Sequence, residues 1–175
     1  MKWNEYLVES ARFENKTLNA PQLQSNAILG LMGEMGELAD LFKKFWYHDH
    51  PENREHVLKE SGDILWYLAL YCRGRQCRID RERVAHITQT WPESWDIKQF
   101  LLIMQSAFTN LLNSRSDPWL EEVNAVSIAG AVGCIASIYD SSLEEVMDMN
   151  ITKLSARYPD GFSTEASLHR KEGDI

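Results

Sequence analysis

Residues 28–72, ILGLMGEMGELADLFKKFWYHDHPENREHVLKESGDILWYLALYC, decide how this chain folds. They read as two helices folded back on each other, each with two carboxylates three residues apart: Glu34 and Glu37, then Glu60 and Asp63. Positions i and i+3 share a helix face, so each pair can point one way. The pairs are also mirrored: the mean of 34 and 63 is 48.5, and so is the mean of 37 and 60. That centre falls in His48-Asp49-His50-Pro51, where a turn is expected because proline resists helix continuation. If the helices are antiparallel, Glu34 sits level with Asp63 and Glu37 with Glu60, and four acids meet.

Such a meeting needs compensation, since clustered carboxylates repel and a partly buried one is costly without a partner. Met32, Met35, Leu38 and Phe42 surround the first pair, and the apolar run Ile64–Cys72 follows the second, so burial is expected. Gly30, Gly33 and Gly36 repeat at spacing three inside the first helix, each at a cost of about 1 kcal/mol relative to alanine. Close approach of another helix or a ligand is the expected reason. A hard divalent cation, Mg²⁺ or Mn²⁺, is the simplest way to hold four acids together; such ions prefer oxygen ligands and bridge to phosphates.

The rest of the chain sets bounds. Its 175 residues suit one domain spanning 1–175, with enough apolar content (44%) to build a core without disulfides. A net charge of −8 argues against nucleic-acid or anionic-membrane partners, which call for basic surface. Cys72, Cys77 and Cys134 are too few and too irregular for a disulfide framework or a zinc knuckle, and free thiols in a reducing compartment are expected. The N-terminus, MKWNEYLVES, has no apolar signal core, and Ile64–Cys72 is too short to span a bilayer, so the expected location is the cytoplasm.

In chain order, helical periodicity or capping predicts helices over 4–15, 22–46, 52–72, 80–90, 95–113, 117–138 and 141–156. Gly74 and the basic, polar stretch Arg73 to Arg78 are expected to end the third, Asp117 and Pro118 to start the sixth, and Ser141 or Ser142 to cap the last. Tyr158-Pro159-Asp160-Gly161 stops that helix, and 162–175 reads as an extended tail. No strand signal of useful length occurs. The fold class is an all-α helical bundle built on the antiparallel hairpin.

With the acid pairs and the tail in place, the sequence resembles the MazG-like, all-α nucleoside triphosphate pyrophosphohydrolases. The segments that carry the resemblance are LGLMGEMGELADLFKK (29–44), KESGDILWYLA (59–69) and LEEVMDMNITKLSARYPDGF (143–162). They repeat the family's ExxE and ExxD, then an N-x-x-K segment ending in RYP-x-GF. The stretch 74–133 departs from the family's short link and reads as an inserted helical segment. The resemblance implies hydrolysis of a nucleoside triphosphate between its α- and β-phosphates, giving a monophosphate and pyrophosphate. It implies that Glu34, Glu37, Glu60 and Asp63 form the catalytic, metal-ligating set for Mg²⁺, with Mn²⁺ a possible substitute. One of the four, with Glu37 the first candidate, would orient or deprotonate the attacking water. Asn150, Lys153 and Arg157 share a helix face suited to phosphate oxygens, and Lys44 and Lys43 are weaker candidates. The family further implies a homo-oligomer, dimer or tetramer, unless the insertion walls the pocket within one chain.

Plainer readings compete. Any one ExxE is usually a solvated helix face, and Lys153 and Arg157 could simply complement a helix dipole. Trp3, Trp46, Trp66 and Tyr67 could stack on a base, though at helical spacing aromatics mostly serve the core; Trp66 is retained as a substrate-binding candidate. His48 and His50 read as a solvated loop, and Asp40 as a surface acid. Two other functions are open: a carboxylate-bridged di-iron bundle, disfavoured because no Glu has His three residues later, and a non-catalytic helical interaction module retaining a metal site.

Overall fold

The structure is a computed structural model and describes residues 1–114 and 116–168. Helices alone make up its regular structure among these residues: α1 (Trp3–Ser10) with a 3₁₀ turn (Ala11–Phe13), α2 (Ala20–Tyr47), α3 (Arg54–Arg75), α4 (Arg81–Thr88), α5 (Ile97–Asn113), α6 (Pro118–Ile138), α7 (Leu143–Arg157) and α8 (Thr164–Leu168).

Local chemistry sets where the two central helices begin and end. Asn19 caps α2 reciprocally with Gln22, at 3.0 and 2.9 Å, satisfying two backbone donors that the first turn leaves unpaired. After Tyr47 the chain reverses through Asp49, at φ 55°, and Asn53 caps α3 by accepting from the His56 amide at 3.1 Å. Gly30 of α2 lies under the Tyr67 ring of α3, which would stand 2.1 Å from a Cβ at that position. Gln24, further back on α2, reaches Tyr71 and Gly74, further forward on α3. Position numbers thus fall on one helix as they rise on the other, which makes the pair antiparallel. Gly30 and Tyr67 also share the mirror centre of the acid pairs.

Helix α3 ends inside the basic, polar stretch 73–78, one residue beyond Gly74. The helix continues through Arg75 and closes at Gln76 in the left-handed conformation, with the Cys77 amide donating to the Cys72 carbonyl at 3.1 Å. A Cβ at position 74 would lie 2.2 Å from the Gln24 amide nitrogen, so this glycine gives that side chain room.

The core forms around α3, whose Leu58, Ile64, Leu65, Leu68 and Tyr71 are fully enclosed. The N-terminal segment breaks at Ala11 rather than forming one helix to residue 15, and it is strapped to α3 by Arg73. That guanidinium donates to the Leu7 carbonyl (3.1 Å), to Ser10 Oγ (2.8 Å) and to Glu14 (2.5 Å). On the far side, buried Glu121 of α6 accepts from Tyr71 Oη at 3.0 Å and pairs with Arg75 at 2.8 Å, tying α6 to α3. Helix α6 has 21 residues, is long and apolar enough to cross a bilayer by composition, and has 61% of its most apolar window buried inside the protein. The chain after residue 162 is not wholly extended, since Thr164–Leu168 is a short helix; residues 169–175 of that tail lie outside the described residues.

Candidate active site

The mirrored spacing brings acids of both helices together. One carboxylate oxygen from each of Glu34, Glu37 and Glu60 lies within 4.8 Å of the others. Glu60 is almost fully buried and contacts His56 Nε2 at 3.0 Å, one turn earlier on α3. Burial, then the charges of Asp63, Glu37 and Glu60, push the Glu34 carboxyl up from 4.5 to about 8. Burial, then Asp63 and Glu37, raise Glu60 as well. Nearby Lys153 lowers both only in part. Asp63 borders the trio, while donors from α7 hold its oxygens: Asn150 Nδ2 donates to Oδ1 at 3.0 Å and Lys153 Nζ to Oδ2 at 2.5 Å.

Asn150 is set by a residue that sequence patterns do not single out. The hydroxyl of fully enclosed Tyr6 donates to Asn150 Oδ1 at 2.7 Å, so the amide must present its NH₂ to Asp63. Burial, then the Asp63 charge, hold the Tyr6 phenol well above its ordinary range, which keeps it a donor. Gly62 completes the fit: a Cβ there would come within 3.0 Å of Asn150 Cβ, so the glycine beside Asp63 lets α7 approach.

The acids line a cleft of about 300 Å³. Lys153 and Arg157 line it from α7, and Trp66 and Tyr67 from α3. Phe13, Leu154, Tyr158 and Phe162 also line it; the first three form a small buried cluster separate from the main core, and Phe162 packs against it. None of the lining residues comes from the 74–133 stretch, so the alternative in which the insertion walls the pocket is not what the structure shows; the 3₁₀ turn, α7 and the tail supply lining instead. Asn15 and Asn26 also line the cleft and were not anticipated; a lone Asn gives no periodic signal.

Other candidates lie elsewhere. Lys44 pairs with Asp40 at 2.7 Å and faces a neighbouring groove of about 440 Å³, which shares only Glu37 and Glu60 with the first cleft. Lys43 pairs with the same aspartate. Trp3 is core, and Trp46 stacks on Phe42 at 5.2 Å with the Lys98 ammonium over its ring. His48 and His50 are exposed, as a solvated loop would have them. Among the three glycines, Gly30 is explained by Tyr67, while Gly33 and Gly36 face open space.

Compared with known families, residues 22–89 match the MazG nucleotide pyrophosphohydrolase domain, a span running from α2 through α4. The match is less than half of the 175 residues; it extends into the stretch taken as inserted and stops short of the Asn150–Arg157 face. No curated protein and no solved structure matches the chain. The matched segment carries both acid pairs, Glu34/Glu37 and Glu60/Asp63, and residues 22–89 are thus similar to the MazG nucleotide pyrophosphohydrolase domain.

Proposed function

We propose that this chain is a Mg²⁺-dependent pyrophosphohydrolase that converts a ribo- or deoxyribonucleoside triphosphate to its monophosphate and pyrophosphate. The observation that carries this reading is the convergence of Glu34, Glu37 and Glu60 in a cleft that Lys153 and Arg157 also line. The donor set is all carboxylate oxygen, and burial and mutual repulsion raise two of its acids, so a hard divalent ion fits it; Mn²⁺ would fit as well. Such an ion, when bound, neutralises triphosphate charge and polarises the phosphorus–oxygen bonds.

The protein groups divide the remaining work. Glu34, Glu60 and Asp63 are the ligands, with His56 steadying Glu60 and Asn150 and Lys153 steadying Asp63. Glu37, the most exposed of the four acids, is a ligand and also the carboxylate that positions the attacking water. As the water oxygen bonds to Pα, its proton passes to Glu37, and the bond from Pα to the bridging oxygen breaks to release pyrophosphate. Lys153 and Arg157, one helical turn apart, meet the phosphate oxygens, and Trp66 borders the nucleoside. Lys44, already paired with Asp40, is at most an outer contact.

His56 precedes Glu60 by four residues and contacts it at 3.0 Å, whereas the Glu-x-x-His ligands of a di-iron bundle need His three residues after a Glu. We place the protein in the cytoplasm, acting on a free nucleotide rather than on nucleic acid or membrane. A homo-oligomer is supported by one exposed α2 face, where Leu29 and Met32 stand beside the open Gly33 and Gly36.

The test is a nucleotide panel with Mg²⁺, measuring monophosphate and pyrophosphate separately, in ¹⁸O-labelled water. Label in the monophosphate and loss of turnover in Glu37→Gln and Asp63→Asn, with helicity unchanged, are expected. Nucleoside diphosphate as product, or wild-type rates in either variant, would remove the assignment.

A further inference from the structure

We infer that Asn26, assisted by Asn15, reads the edge of the nucleobase, making the aromatic-lined part of the cleft the specificity compartment of this enzyme. The inference rests on the pyrophosphohydrolase reading above and goes beyond it by assigning what selects the substrate.

Position comes first. Asn26 lies on α2, the helix that carries Glu34 and Glu37, and it lines the same cleft. Eight residues separate Asn26 from Glu34, about 12 Å along a helix at 1.5 Å per residue. That separation matches the reach from an α-phosphate at the acids across a ribose to the far edge of a base. Gly30 lies between them beneath the Tyr67 ring, so an aromatic rather than a polar group covers the intervening stretch.

Chemistry comes second. Asn26 is half-buried and has no hydrogen-bond partner among the described residues, so its carboxamide can still offer a donor and an acceptor side by side. Base edges present the complementary pair. Asn15 differs in an informative way. Its Oδ1 already accepts from the Thr17 amide at 3.0 Å and from Thr17 Oγ1 at 2.7 Å, which orients the carboxamide and leaves its NH₂ as a donor. A ring carbonyl or an unprotonated ring nitrogen is the group that such a donor takes.

The walls suit a planar ring. Phe13, Tyr158 and Phe162 pack on one another, with ring centroids 6.5 and 5.5 Å apart, and Trp66 is pinned by donating from Nε1 to the Ser10 carbonyl at 3.2 Å. Aromatic faces bind any base with little discrimination, so selection falls to the carboxamides. An apolar pocket separates similar ligands weakly, whereas a site built to hydrogen-bond one edge rejects ligands lacking it strongly.

The experiment compares wild type, Asn26→Ala and Asn15→Ala on ATP, GTP, CTP and UTP with Mg²⁺. Inorganic tripolyphosphate, which has no base, serves as a competitive inhibitor. For Asn26→Ala, kcat/KM on the preferred nucleotide should fall about tenfold or more, as for one lost hydrogen bond in a partly buried site, and the ranking should flatten. The tripolyphosphate inhibition constant should not change. Asn15→Ala should act in the same direction and less strongly. An unaltered ranking in both variants, equal loss for every base and for tripolyphosphate, or a wild type without base preference would overturn the inference while leaving the hydrolase reading intact. If wild type hydrolyses nothing, calorimetric binding of the four nucleoside monophosphates decides the matter separately. Base-selective binding that Asn26→Ala flattens would sustain the inference without the hydrolase reading, and its absence would end both.

Discussion

Replacing Tyr6 with Phe removes one oxygen atom from a fully enclosed site and tests how the fold sets the acids. The phenol donates at 2.7 Å to Asn150 Oδ1, and Asn150 is itself buried, so no water takes over. An orphaned buried acceptor costs about 1–3 kcal/mol. At about 2–4 °C per kcal/mol for a chain of this size, the melting temperature should fall by roughly 2–12 °C. The second consequence concerns the site. Without Tyr6 the Asn150 amide can rotate, and Asp63 loses a charge-assisted hydrogen bond worth about 1.5–3 kcal/mol. If that bond aligns Asp63 for the reaction, kcat/KM should drop by about ten- to a hundredfold, more than mild destabilisation would cause well below the melting point. A double-mutant cycle with Asn150→Ala separates the two effects: the Tyr6→Phe penalty should largely vanish once Asn150 is gone, giving a coupling of about 0.5–3 kcal/mol. Additive penalties, or a Tyr6→Phe protein with wild-type stability and turnover, would refute the idea that the phenol acts through Asn150.

Three further outcomes follow from the geometry. The raised Glu34 carboxyl keeps its proton in the folded, metal-free protein up to about pH 8, whereas the ordinary group loses it near 4.5. The folded state therefore binds more protons between those values, and metal-free stability should decline as pH rises from about 4.5 to 8. Glu34→Gln should flatten that decline in urea titrations; an unchanged slope would place the repulsion elsewhere. By the same logic, Mg²⁺ binding at pH 7 should release a proton, seen as buffer-dependent binding heat in calorimetry, and equal heats across buffers would contradict the raised carboxyl. Gly36→Ala, which meets open space, should raise the melting temperature slightly through helix propensity, while Gly30→Ala should lower it by displacing Tyr67; matching shifts would mean that the Tyr67 contact is not tight.

The hairpin was legible because its signals are local. Two carboxylates at i and i+3 share a face whatever surrounds them, and the turn at Asp49 fell where the mirror centre and Pro51 put it. Caps at Asp117 and Ser142 were readable for the same reason. Errors arose where a distant side chain overrode a local preference. Gly74 looks like the helix stop itself but sits inside the last turn and makes room for Gln24, and the inserted helices, an alternative pocket wall in the sequence, pack against α2, α3, α7 and each other.

The sequence by itself determined an all-α chain whose paired helices carry four acids in mirror register, because periodicity and capping act within a few residues. Only the tertiary structure decided that Tyr6, 144 positions from Asn150, orients it toward Asp63, and that Asn15 and Asn26 share a cleft with the acids. Those contacts depend on how separate helices cross and how closely they approach. That relation is set by packing across the whole core, and no stretch of sequence read alone contains it.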